Sequence, residues 1–207
     1  MAKWAMVIDM DRCTGCNACT VACNFENSTD PKMGWREVIS FIKKEGQGVK
    51  YNVVPRPCMQ CEDAPCVKVC PTKASHYDAD GLVQINQDKC IGCKYCMNAC
   101  PYGVRKFNKY SPEAKEFHNP DVKKRTHGVV EKCTYCRHRM AKGDYKNSDH
   151  GKMGRMTACS QICAAGANWF GDLDDPNSVV SKLVKSGRAI QLRAELGTRP
   201  RTFYLKD

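Results

Sequence analysis

The sequence predicts an α+β fold, low in regular secondary structure and built from two similar modules with insertions. Two observations predict it. Sixteen cysteines in 207 residues fall into four groups of four instead of spreading along the chain. Short strands at Trp4–Met10 and Gly81–Asn86 each lead into an acidic residue, a basic residue and a cysteine group, Asp11-Arg12-Cys13 and Asp88-Lys89-Cys90, which makes an internal repeat. A chain of this length supports one substantial domain or two small ones, and 42% hydrophobic with 27% charged residues is the composition of a chain that folds.

Within Asp88–Pro101, Cys90, Cys93, Cys96 and Cys100 have the C-x2-C-x2-C-x3-C-P spacing that holds a cubane iron-sulfur cluster in bacterial ferredoxins. Three thiols on a tight glycine-containing loop can wrap three irons; the fourth, a turn further on, points away to a second cluster. Cys13, Cys16, Cys19 and Cys23 repeat these gaps, with Asn24 where the proline would stand. Cys58, Cys61, Cys66 and Cys70, followed by Pro71, widen one gap through Glu62-Asp63-Ala64-Pro65, which still lets the sulfurs reach one cluster. Cys133 and Cys136 are separated by 22 residues from Cys159 and Cys163. Alone, that last group suits zinc as well as iron. Beside three ferredoxin-type quartets it is expected to hold a fourth cubane, because otherwise Cys23 has no second cluster to serve.

The modules are therefore expected to be bacterial-ferredoxin-like. One comprises residues 1–30 with 125–175 and the other residues 50–124. Residues 31–49 are an insertion, whose Val38–Ile42 strand is expected to pair with Tyr51–Val54 just beyond it in a hairpin closed by Glu45-Gly46-Gln47-Gly48, serving as packing or partner surface. Residues 176–207 form a C-terminal helix and tail. Asp175 is placed as N-cap and Pro176 as first helical residue, with Val179, Val180, Leu183 and Val184 as the apolar face and Gly187 as the end. The tail is read as a strap across the body or a partner contact.

Composition excludes several classes. C-x2-C pairs this dense close loops too small for useful disulfides, and four cysteines clustered so closely, twice ending in Cys-Pro, do not suit zinc throughout. The formal charge of +11 would suggest nucleic acid, but each cubane with its four thiolates adds about −2, so four of them leave about +3. Residues 101–155 are the basic stretch, with 14 Lys/Arg against 6 Asp/Glu, expected to be a solvated face and charge balance for nearby clusters. The five histidines, His76, His118, His127, His138 and His150, lie outside the quartets and are expected to be non-ligating. No Ser/His/Asp arrangement, dinucleotide fingerprint or phosphate loop is present, so no catalytic residues are expected. No apolar run approaches a membrane span, and no export signal is recognised.

The sequence resembles the four-cluster iron-sulfur subunits of molybdopterin oxidoreductases, the family that includes the electron-transfer subunits of dimethyl sulfoxide, polysulfide, thiosulfate, tetrathionate and arsenate reductases. The likeness rests on Asp11–Cys16, Cys61–Cys66, Cys90–Cys96, Lys132–Cys136, Gly171–Pro176 and the ending Gly197–Tyr204; Ala164 departs from the proline that often follows the last cysteine. The resemblance implies four [4Fe-4S] clusters with exchanged ligands: Cys13, Cys16, Cys19 with Cys163; Cys133, Cys136, Cys159 with Cys23; Cys58, Cys61, Cys66 with Cys100; and Cys90, Cys93, Cys96 with Cys70. It implies an electron relay, not catalytic alone, between a molybdenum or tungsten catalytic subunit and a membrane quinone-reactive subunit or other redox partner in anaerobic respiration. It also implies a cytoplasmic chain, or a periplasmic one exported with a partner, membrane-associated through its complex. A free soluble polyferredoxin and a zinc-stabilised interaction module remain as alternatives.

Overall fold

A computed structural model describes residues 2–109, 118–143 and 149–206. Residues 110–117, within the expected second module, and the side chain of His150 lie outside this description. The apolar run near the start forms β1 (Trp4–Asp9), buried along its whole length. A strand that is apolar on both faces needs cover on both. Trp4, Met6 and Ile8 enter the large core that holds many of the cysteines, while Ala5 and Val7 pack with Val180 and Leu205. Helix cover on that second face comes from Val179–Lys185, whose Leu183 and Val184 also pack there.

From β1 the chain runs through α1 (Ala18–Asn27), the hairpin β2 (Glu37–Glu45) and β3 (Gly48–Arg56), α2 (Pro65–Lys68), β4 (Ser75–Tyr77), β5 (Val83–Ile85), α3 (Tyr95–Asn98) and β6 (Lys106–Phe107). Then follow β7 (Val130–Glu131), α4 (Arg137–Ala141), α5 (Asp149–Lys152), α6 (Ala158–Gln161), β8 (Asn168–Asp172), α7 (Val179–Lys185), β9 (Ala189–Ile190) and β10 (Thr202–Leu205). Short helices and small sheets agree with the expected low-regularity α+β class. Strands pair as β2 with β3, β4 with β5 and β6 with β7, beside a four-stranded sheet in the order β8-β1-β10-β9. Among the described residues no helix is long and apolar enough to cross a membrane.

Three differences from expectation have local causes. The tail is a strand of the main sheet: β10 pairs in parallel with β1, Met6 opposite Thr202 and Asp9 opposite Leu205. On its way it crosses the second quartet, where Arg199 and Thr198 carbonyls accept from the backbone of Glu62 and Asp63, and Arg201 N–H donates to Met59. Helix α7 begins at Val179, not Pro176, because Asp175 closes a turn by accepting the N–H groups of Asn177 and Ser178. The insertion is partly core: Met33, Trp35 and Arg36 are buried, while Phe41, Ile42, Val49 and Tyr51 stand exposed on a hairpin longer than expected.

Candidate iron-sulfur centres

Each quartet begins on the same backbone device. The residue before the second cysteine is left-handed in all four: Gly15 (φ 73°), Gln60 (46°), Gly92 (68°) and Tyr135 (57°). That turn folds the loop over its first sulfur, so that Gln60 and Tyr135 N–H groups donate to Cys58 and Cys133 Sγ, each at 3.5 Å. At Gly92 a side chain is also excluded by space, since a Cβ there would lie 2.2 Å from the Gly128 carbonyl oxygen. The repeated entrance extends two residues further back than the sequence pattern suggests. Asp9 Oδ1 accepts from the N–H groups of Asp11 and Arg12, and Asn86 Oδ1 accepts from those of Asp88 and Lys89.

The exits differ in helix length. Proline, which cannot continue a helix, follows Cys70 and Cys100, and α2 and α3 are four residues long, as is α6 ahead of Cys163, where Ala164 follows. With Asn24 in that place, α1 runs on to Asn27 and keeps Cys23 inside the helix. Asn24 then accepts at its carbonyl from Thr29 N–H and at Oδ1 from Thr29 Oγ1.

Cysteines remote in sequence surround common cavities. One is lined by Cys13, Cys16, Cys19 and Cys163. A second is lined by Cys58, Cys61, Cys66 and Cys100, and a third by Cys70, Cys90, Cys93 and Cys96. The remaining four come together in the interior: burial pushes the Cys23 thiol well up, and the nearby Cys133, Cys136 and Cys159 push it further. Burial likewise raises Cys61 and Cys133 to about 12. Cys70 moves the other way, because N–H groups of Ser75 and Thr72 outweigh its burial. Among the described residues no three His, Cys, Asp or Glu side chains converge as ligands of a single ion; the thiols ring cavities instead. An all-sulfur donor set, with three cysteines of one quartet and one of another around each cavity, fits iron-sulfur clusters.

The structure adds polar partners that no motif in the sequence announces. Asn168 Nδ2 donates to Cys163 Sγ at 3.2 Å, and Asn27 Nδ2 approaches Cys23 Sγ at 3.6 Å. Three cations are buried among the thiols. Arg36, 1% exposed, donates to Cys159 Sγ at 3.5 Å and to Asn168 Oδ1. Arg105, 3% exposed, donates to Cys66 Sγ at 3.0 Å and Ser75 Oγ at 2.8 Å. Lys132, 1% exposed, donates to the carbonyls of Val83 and Cys133. No periodicity or motif singles out Arg36 or Arg105; Lys132 could have been noticed as the cation next to Cys133. Among the histidines, His76 contacts the Ala74 carbonyl and His138 contacts Glu26; neither lines a cysteine cavity.

Two models of the 4Fe-4S dicluster domain match the chain, one over residues 49–118 and the other over residues 12–74 and 89–167. The fold and its cysteine cavities are thus those of a 4Fe-4S protein. The arsenate respiratory reductase iron-sulfur subunit of Shewanella sp. (strain ANA-3) is 40% identical over 237 residues, covering 99% of this chain and 97% of the relative. The menaquinone reductase iron-sulfur cluster-binding subunit of Nitratidesulfovibrio vulgaris is 39% identical, covering 98% and 88%. The B subunit of the polysulfide reductase of Wolinella succinogenes is 35% identical, covering 99% and 95%. This protein belongs to the family of iron-sulfur electron-transfer subunits of molybdopterin-type oxidoreductases.

Glu26 ties the first quartet to the fourth. It lies on α1 beyond Cys23 and accepts from His138 Nε2 at 2.7 Å and from Arg139, both on α4 after Cys136. Burial would raise its pKa, but these hydrogen bonds outweigh it and hold the carboxylate at about 2, below its ordinary 4.5. A depressed carboxylate stabilises the fold above its unfolded-state pKa, and that contribution fades as pH falls toward the folded value. Glu26→Gln is therefore expected to cost about 2 kcal/mol at neutral pH. In urea unfolding followed by circular dichroism, the gap between parent and variant should be constant down to pH 4.5 and shrink between there and about pH 2. A gap that widens on acidification contradicts the assignment.

Proposed function

We propose that the chain carries four [4Fe-4S] clusters in a row and relays electrons between a molybdopterin catalytic subunit, with molybdenum or tungsten, and a membrane quinone-reactive subunit or other redox partner. The proposed ligand sets are Cys13, Cys16, Cys19 and Cys163; Cys133, Cys136, Cys159 and Cys23; Cys58, Cys61, Cys66 and Cys100; and Cys90, Cys93, Cys96 and Cys70. The observation that carries this reading is that three separate cavities are each ringed by four cysteines, three from one quartet and one from another. Exchange of the last cysteine between first and fourth quartets, and between second and third, also accords with two modules, residues 1–30 with 125–175 and residues 50–124.

Contacts between the sites support their order. Arg36 touches Cys159 and, through Asn168, Cys163, which joins the first two sets. Lys132 sits on the carbonyls of Cys133 and of Val83, which lines the third. Arg105 lines both the third and fourth cavities. Cys16 and Cys93, in the first and last sets, are the exposed cysteines, so electrons can enter and leave at opposite ends of the row.

Iron-sulfur clusters supply one-electron redox chemistry at potentials set by charge, hydrogen bonds to sulfur and exposure. The protein contributes thiolates fixed by tight loops, N–H donors to Cys58, Cys70, Cys133 and Cys163, and a buried setting that keeps water from most of the sulfurs. It has no catalytic role by itself in this reading; the substrate belongs to the catalytic partner. Relatives named as reductase subunits support a complex of this kind, joined to the membrane through a partner, which also sets its compartment.

Two experiments test the proposal. Purified from its native source, the chain should co-purify with a large molybdenum- or tungsten-containing polypeptide; isolation as a lone monomer would favour a free polyferredoxin. Cys100→Ala should remove the four-iron signature of the site built on Cys58, Cys61 and Cys66 and spare that of Cys90, Cys93 and Cys96, as read by electron paramagnetic resonance. Loss at the Cys90 site alone would overturn the ligand exchange.

A further inference from the structure

Arg36, Lys132 and Arg105 are the cations buried most closely among the thiols, and each falls between two successive cysteine sites. Arg105 has the most complete geometry. It follows α3 and Gly103, lines the cavity of Cys58, Cys61, Cys66 and Cys100 and also that of Cys70, Cys90, Cys93 and Cys96. Its Nη2 donates to Cys66 Sγ at 3.0 Å, while Ser75 Oγ, next to the second cavity, accepts from Nη1. Its Nε is buried and has no hydrogen-bond partner among the described residues. Arg36 repeats the arrangement: one nitrogen on Cys159 Sγ, another on Asn168, whose amide holds Cys163 Sγ, and an unpartnered buried Nε. Lys132 bridges by its ammonium alone, between the backbone of Cys133 and that of Val83, with Gln60 joining the same two segments beside it.

A buried cation without a carboxylate partner is costly, and none of these three has a salt bridge to Asp or Glu among the described residues. Their negative counterparts are the thiolates on either side. The spare N–H groups of the two arginines are available to the sulfur of an inserted cluster. A permanent positive charge between two sites favours an added electron on either one and lessens the repulsion between electrons on both.

We propose that Arg36, Lys132 and Arg105 are gap cations, one at each of the three junctions of the row, that raise the reduction potentials of both flanking clusters together and so keep neighbouring stations matched for transfer. They are positioning residues and not ligands. With clusters held in both flanking sites, the side chain would keep one positive charge beside an electron on either side, so the charge around it would be unchanged in total by a transfer between them. The inference rests on the four-cluster reading, and iron content separates failure of that reading from failure of this one.

The test is a potentiometric titration of the full chain in its complex, followed by electron paramagnetic resonance, with iron measured first. With parental iron content, Arg105→Gln should lower two of the four potentials together, shifting the reduced-to-oxidised ratio about ten-fold at fixed potential, or about 59 mV for one electron. Arg105→Lys, which keeps the charge, should stay near the parent. Lys132→Met should move a different pair, sharing one member with the first. The proposal is overturned if Arg105→Gln retains its iron and shifts no potential or only one, or if Arg105→Lys shifts as far as Arg105→Gln. Should Arg105→Gln lose iron, Lys132→Met decides by the same paired shift or its absence.

Discussion

Thiolate charge in the protein interior is the constraint on which this structure turns. Sixteen cysteines are gathered into four sites, and most are buried. Left to themselves, such thiols resist ionisation: burial takes Cys61 and Cys133 up to about 12 and Cys23 well above its ordinary value. Thiolate at neutral pH therefore requires positive charge close by. In the proposed four-cluster protein iron supplies most of it, and assembly of the centres is then coupled to completion of the fold. Three buried side-chain cations and a set of N–H donors to sulfur supply the rest.

The backbone solves the accompanying geometric problem with one device used four times. A left-handed residue ahead of the second cysteine turns the chain sharply over the first sulfur, and a short helix then presents the third. Cavities lined by three cysteines of one quartet and the last of another mean that no loop encloses a site alone. The sheet and the helix ties keep the loops in register. β10 enters the central sheet after pinning the second quartet loop, and Glu26 fastens α1 to α4.

Much of this was legible in the sequence, for a physical reason. Cysteine spacing is local, so Cys90–Cys100 announces its loop without any knowledge of what surrounds it. The strand at Trp4 was likewise readable from its apolar run, and the strand at Val83 and the hairpin after Arg36 from alternation and glycine. What was not legible depends on long-range contacts. Arg36 reaches Cys159 across 123 positions and Arg105 reaches Cys66 across 39, and nothing in their immediate neighbours marks either as buried. The tail reads as a strap or partner contact because basic residues mix there with Phe203, Tyr204 and Leu205, yet Thr202, Tyr204 and Leu205 are buried in the sheet. The basic excess was read as a solvated face with some charge balance. Among the described cations of that stretch, Lys109, Lys123, Lys124, Lys142 and Lys152 are exposed, whereas Arg105 and Lys132 are buried beside the thiols.

The central claim is that every thiol of four quartets serves a [4Fe-4S] cluster. Iron, acid-labile sulfide and zinc measured on one anaerobically purified sample, with Mössbauer spectra of the same material, address it directly. The account predicts about sixteen irons and as many sulfides per chain, all in four-iron centres. About eight irons, or zinc in place of iron at any quartet, would contradict it.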